Sequence, residues 1–198
     1  EIKNPLTPML LSTEFLETQI DDEDLKNSIL SIKRQIFLIQ NLVNEFSNFA
    51  RLPKANNKKI HLSEILLIYI DEYKRNYPKI TFNQSIQNEV YVFFDQSYVD
   101  IILNNLFKNA IEALDKSSKP TIEISLNKHE NHILLSFFDN GPGYDGNVEN
   151  LIKPYFSTKN SSGLGLPLIE KIIRDNNGSL KIQTNNYSGF KVEIKLNV

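Results

Sequence analysis

A chain of 198 residues with a net charge of −2 and no cysteine has room for one domain or two small ones, and none for disulfides or thiolate metal sites. The near-neutral balance removes any electrostatic argument for nucleic-acid binding. No apolar run approaches the roughly 20 residues of a membrane span, the oiliest stretch being residues 65–70.

Residues 1–52 read as a helical hairpin. Ile2, Leu6, Met9, Thr13, Leu16 and Ile20 follow alternating steps of four and three, and so do Leu25, Ile29, Ile32, Ile36, Ile39, Val43, Phe46 and Ala50. That is the narrow seam of a coiled coil rather than a broad globular face. The acidic run Asp21-Asp22-Glu23-Asp24 separates the two halves and suits the start of the second helix. Two helices cannot bury such a seam on both sides, whereas a four-helix bundle made by two chains can, so a homodimer is expected.

Residues 52–59 break the period with proline, asparagine and lysine and read as a linker. Beyond it the pattern predicts a helix over 62–76 with Ser63 as N-cap, strands over 80–86 and 90–95, and a long helix over 97–115. Residues 121–127 and 132–139 alternate as a hairpin. A helix over 164–175 stops at Asn177-Gly178, and 180–184 with 190–196 form a second hairpin. The expected fold class is α+β: a helical hairpin over 1–54, then a domain over 60–198 with a largely antiparallel sheet covered by helices on one face.

Three segments carry chemistry. Asp139-Asn140-Gly141-Pro142-Gly143 follows an apolar strand; a carboxylate there can accept from an adenine amino group, and the glycines admit a close backbone approach and positive φ. Asn105 and Asn109 stand four apart on one helical face, and a neutral amide oxygen suits a hard cation. Gly163-Leu164-Gly165-Leu166 opens a helix, presenting N–H groups and the positive dipole end to phosphates. His61, His129 and His132 share no metal-ligand spacing and read as surface histidines.

In chain order, with Asn105 and Asn109 first, Asp139 to Gly143 next and Gly163 to Leu166 last, the three segments resemble the ATP-binding domain of sensor histidine kinases, within the GHKL superfamily. The resemblance implies a Bergerat-type α/β sandwich that binds ATP and Mg²⁺, with Asn109 as the metal ligand. It places Asn105, Lys108, Asn109, Asp139, Gly141, Gly143, Gly163, Leu164, Gly165 and Leu166 at the nucleotide. Pro154-Tyr155-Phe156-Ser157-Thr158-Lys159 is similar to the box bordering the mobile lid, with Phe156 packing its base and Lys159 reaching a phosphate.

The first residues, Glu1-Ile2-Lys3-Asn4-Pro5-Leu6-Thr7-Pro8, are similar to the stretch after the phosphoacceptor histidine of those kinases. Glu1 would then orient and deprotonate that histidine, and Asn4 would place water during dephosphorylation. The histidine would stand just before Glu1, so this chain alone is not expected to label itself. Residues 46–53 resemble nitrogen-regulation (Ntr-type) kinases. The family implies a cytoplasmic kinase core without membrane contact of its own, under a parent that can be membrane-anchored, and a response-regulator receiver domain as partner. Two other readings stay open: a GHKL-type ATPase, which would carry a glutamate where Asn105 stands, and a kinase-inactive dimeric docking module.

Overall fold

The computed structural model describes residues 3–50, 52, 54–115, 117–157, 162–184 and 189–197, and leaves undescribed the side chains of residues 3, 4, 41, 45 and 48–50. The chain divides into two compact units, Glu1–Pro53 and Lys54–Val198.

In the first unit the heptad pattern gives α1 (Lys3–Gln19) and α2 (Glu23–Ala50). The acidic run between them caps the second helix: the Asp22 carboxylate accepts from the N–H groups of Asp24 at 2.9 Å and Leu25 at 3.0 Å, satisfying two donors that the first turn leaves unpaired. Leu6, Thr13, Ile29 and Ile36 are buried. The complementary positions Leu25, Ile32, Ile39 and Phe46, spaced by seven, are exposed, between 44% and 53% of their surface remaining open. One half of the seam is thus consumed within the chain and the other half is left uncovered.

The second unit runs β1 (Lys58–His61), α3 (Leu62–Asn76), β2 (Thr81–Ile86), β3 (Tyr91–Phe94), α4 (Gln96–Leu114), β4 (Thr121–Lys128), β5 (His132–Asp139), α5 (Gly165–Asp175), β6 (Ser179–Thr184) and β7 (Phe190–Asn197). Five strands form one sheet in the order β2-β4-β5-β7-β6, antiparallel except for the β2–β4 pair, and β1 pairs with β3 in a separate antiparallel ribbon. Ile122, Ile124 and Leu126 of β4, Ile133, Leu135 and Phe137 of β5, and Val192, Ile194 and Leu196 of β7 are buried on the inward face. Against this sheet-side core lie α4, whose Phe107 ring meets Phe137 edge-on at 4.9 Å, and the buried Ile169, Ile172 and Ile173 of α5.

Two expectations need correction. Lys58 and Lys59, read as linker, begin a strand, because the backbone of β1 finds its partners in β3, with Lys59 opposite Phe93 and His61 opposite Tyr91. The bounds of α3 are as expected, but Ser63 does not cap it: Ser63 lies in the first turn, and the N-cap position, His61, makes no side-chain cap bond. Ser63 is instead buried, donating to the Gln87 carbonyl at 2.8 Å and accepting from the Val90 N–H at 3.0 Å, which pins the turn between β2 and β3. The end of α5 is as expected in kind. Asn177 adopts φ 59 and the Gly178 N–H returns to the Ile173 carbonyl at 2.9 Å, a left-handed helix stop.

Asp95 caps α4, accepting from the Ser97 N–H at 2.7 Å and the Ser97 hydroxyl at 2.6 Å, and also from the Asn56 N–H at 2.6 Å. These donors, the Ser97 hydroxyl foremost, hold its carboxyl below the ordinary value of 3.8. A depressed carboxyl stabilises the fold above its ordinary range and loses that contribution as pH falls through the folded value. Asp95→Ala should therefore cost about 1–2 kcal/mol near neutral pH, and the gap between variant and parent should close below pH 3.8 in denaturant titrations. A gap that does not narrow as the pH falls below 3.8 would contradict this assignment.

Candidate functional site

Strand parity explains the first element. Ile133, Leu135 and Phe137 point into the core, so Asp139, two residues further, occupies the last inward position of β5. Its register partners are Ile122 on β4 and Phe190 on β7. A carboxylate only 4% exposed between two apolar neighbours is tolerated when donors meet it. One is the Gly141 N–H at 2.9 Å. The side chain of Asn140 secures the same turn from outside, accepting from the Thr121 N–H at 2.8 Å and donating to the Lys119 carbonyl at 2.8 Å.

The two glycines of this turn serve different ends. Gly143 has φ 70, as glycine permits. Gly141 is not in the left-handed region; a Cβ there would stand 2.7 Å from the Asp139 carboxylate and 3.0 Å from the Ala113 Cβ, so it is space rather than conformation that demands glycine. The expectation of positive φ at both positions is corrected accordingly.

The second glycine segment reaches the same helix at its other end. A Cβ on Gly165 would stand 2.7 Å from the Asn105 amide oxygen, and the Asn105 amide nitrogen donates to the Ile101 carbonyl at 2.7 Å. Leu164 is buried at the start of α5, Leu166 is half-buried, and Pro167 lies in the first turn, where its missing N–H costs nothing. Gly163 has φ 65, and its carbonyl accepts from the Tyr155 N–H at 3.1 Å, which closes the base of the loop between Phe156 and Gly163.

Residues 105, 109 and 113 are spaced by four on α4 and share one face. Asn105 meets the second glycine segment and Ala113 the first, about 12 Å apart along the helix axis. The half-buried Asn109 stands midway, with Lys108 exposed beside it. Phe156 is half-buried and its ring meets Tyr144 edge-on at 6.2 Å. Tyr144 was not expected at the site. Its position directly after Gly143 was the available signal, since a residue leaving a glycine turn follows the turn's direction. Glu1 and Lys159 lie outside the described residues, as does the side chain of Asn4.

The histidines stand elsewhere. His129 and His132 stack at the β4–β5 turn with centroids 4.5 Å apart, and His132 is seven residues, about 23 Å, from Asp139 along β5. Burial holds the His132 imidazole below its ordinary value, with help from Lys195 and His129. His61 stacks on Tyr91 at 4.5 Å, beside Glu64. A groove of about 600 Å³ lined by His61, Ser63, Glu64 and Asp71 includes none of the glycine or asparagine residues above.

A buried carboxylate at a strand end and two glycine segments set against one asparagine-bearing helix lie together on an α/β sandwich. The model of the family described as histidine kinase-, DNA gyrase B- and HSP90-like ATPase matches residues 94–198, and the model of the His kinase A phospho-acceptor domain matches residues 1–54. The chain belongs to the family of histidine kinase-, DNA gyrase B- and HSP90-like ATPases, and its first residues match the phospho-acceptor domain model. Nitrogen regulation protein NtrY of Azorhizobium caulinodans is 32% identical over 195 residues, covering 92% of this chain and 25% of that protein. This chain therefore spans a quarter of that relative's length.

Among solved structures, full-length ShkA in complex with AMPPNP has a TM-score of 0.80 at 16% identity, covering 98% of this chain and 43% of that one. Histidine kinase ThkA in complex with response regulator protein TrrA has a TM-score of 0.73 at 23% identity, covering 99% and 58%. Both show the fold.

Filling the space at Gly141 should be felt locally. Gly141→Ala is expected to destabilise the second unit by about 1–3 kcal/mol, because the methyl group must displace either the Asp139 carboxylate or α4. Chemical denaturation of the variant measures it, and an unchanged midpoint would show that the turn yields freely.

Proposed function

We propose that this chain is the dimerisation and ATP-binding core of a two-component sensor histidine kinase. Residues 1–54 serve as dimerisation and phosphotransfer hairpin, and residues 60–198 as catalytic domain. The parent protein phosphorylates itself on a histidine and transfers the phosphoryl group to a response-regulator aspartate, or removes it again. The observation that carries this reading is the buried Asp139 at one end of the asparagine face of α4, with the Gly165 segment at the other.

Asp139 receives the adenine amino group, and the bare backbone at Gly141 and Gly143 allows the base to lie against the turn. Gly163, Leu164, Gly165 and Leu166 present the α5 N-terminus to the phosphates, with Phe156 at the base of the lid and Lys159 and Lys108 as cationic neighbours. The nucleotide would lie along α4 with its base at the Ala113 end and its phosphates toward the Asn105 end. Asn109, midway and with a neutral oxygen donor, fits Mg²⁺, which would neutralise phosphate charge. Glu1 orients and deprotonates the phosphoacceptor, and Asn4 places water in the reverse reaction.

Asn105 favours transfer over hydrolysis. An amide cannot accept a proton from water, and this one already donates to the Ile101 carbonyl, so the reading as a hydrolysing ATPase is the weaker one. A docking module without kinase function would have no use for the Asp139 arrangement. The proposed site of action is the cytoplasm. Among the described residues no helix is long and apolar enough to cross a membrane.

Calorimetry should detect Mg²⁺-dependent ATP binding that Asp139→Ala and Asn109→Ala each weaken about tenfold to a hundredfold, the equivalent of one charge-assisted contact of roughly 1.5–3 kcal/mol. Steady-state ATP hydrolysis should be negligible. An unaltered chain that shows no nucleotide binding, or that turns over ATP freely, is incompatible with the proposal.

The uncovered half of the hairpin seam should make the chain a homodimer. Ile39 is 44% exposed within one chain, so Ile39→Asp is expected to leave the hairpin folded while placing a charge in the bundle between chains, and to yield monomer. Light scattering that reports a monomer for the unaltered chain would sink the dimer.

A further inference from the structure

The turn bearing Asp139 is held where it begins by its own carboxylate and by Asn140. Where it ends, the holding group comes from a strand that none of the sequence motifs includes. Thr184, the last residue of β6, accepts from the Tyr144 N–H at 2.8 Å and donates toward the Gly189 carbonyl at 3.1 Å, with the Tyr144 carbonyl at 3.4 Å as its other acceptor. A hydroxyl is among the few side-chain groups able to accept and donate at one atom in this way.

The placement is set by register. Thr184 pairs with Phe190, and Phe190 pairs with Asp139, so the three residues lie in one row across β6, β7 and β5. Residues in one row project to one face, and Thr184 therefore shares the face of Asp139 from two strands away. Gly189 completes the link: a Cβ there would strike the Asp139 carbonyl and the Phe138 ring, so the residue whose carbonyl Thr184 holds is packed directly on the backbone of Asp139. On its other side Tyr144 leans its ring on Phe156.

We infer that Thr184 is a positioning residue for the nucleotide. It fixes the end of the Gly141–Gly143 turn against the sheet, so that the backbone under the adenine is already in place when the ligand arrives. This rests on the nucleotide reading above. A turn pinned at both ends loses less freedom on binding, so the effect should appear in affinity for the base and not for the phosphates. Valine matches threonine in shape and strand preference but leaves the Tyr144 N–H without its acceptor; serine keeps the oxygen.

The test compares ATP and adenosine binding by calorimetry, well below the melting temperature, for the unaltered chain, Thr184→Val, Thr184→Ser and Asp139→Ala. The expected result is that Thr184→Val weakens ATP and adenosine by the same factor, about tenfold, while Thr184→Ser stays within about twofold of the unaltered chain. Thr184→Val binding both ligands as tightly as the unaltered chain, while Asp139→Ala does not, overturns the inference and leaves the nucleotide reading intact. A loss confined to ATP also overturns it, since the tie would then act on the phosphates. Equal losses for valine and serine would assign Thr184 a packing role and overturn it too. Failure of the unaltered chain to bind either ligand removes the nucleotide reading and this inference with it.

Discussion

A carboxylate in the inward row of a sheet is the constraint around which the second unit is arranged. Asp139 continues the apolar series of β5 and is nearly as buried as its neighbours, yet an ionised group in that position is costly unless donors meet it. The chain must therefore turn at once and bring an N–H back to it, which the Gly141 N–H does. That return leaves no room for a side chain on Gly141, since α4 stands behind it at Ala113. One buried charge thus dictates a turn, a glycine and the closeness of a helix.

The helix α4 then acts as a ruler. Its inward side is locked by Leu103, Leu106, Phe107 and Ala110, all buried, and its start is fixed by the Asp95 cap. With rotation and starting point both set, the face carrying Asn105, Asn109 and Ala113 has no freedom in where it points. The two glycine segments meet the two ends of that face, and so the distance between them is a property of the helix, about 1.5 Å per residue, rather than of the loops. Loops that differ in length can be accommodated without changing the distance between the two glycine segments.

Much of this was legible in the sequence because it rests on local pattern. The apolar series ending at Asp139, the four-residue spacing of Asn105 and Asn109, the glycines before α5 and the Asn177-Gly178 stop are all read from neighbouring residues. What stayed hidden depends on partners far along the chain. Lys58-Lys59-Ile60-His61 has one aliphatic residue and becomes a strand through its pairing with residues 91–94. Ser63 has the side chain of a helix cap and is diverted by the Gln87 carbonyl and Val90 N–H, which no local rule anticipates. Gly141 reads as a turn glycine, and only α4 in place behind it shows that the missing methyl group, not the backbone angle, is the reason.

The hairpin follows the same logic at another scale. Its seam has two sets of positions seven residues apart, and the sequence treats them alike, with isoleucine at Ile29 and Ile36 as at Ile32 and Ile39. In the folded chain they part company: the first pair is buried and the second is open. A monomer gains nothing from aliphatic residues on an exposed stripe, and a stripe of this kind is an association surface. The intrachain set fixes how α1 lies on α2, and on the proposed dimer the open set would meet a second copy, so that one repeat would specify a hairpin and then a bundle.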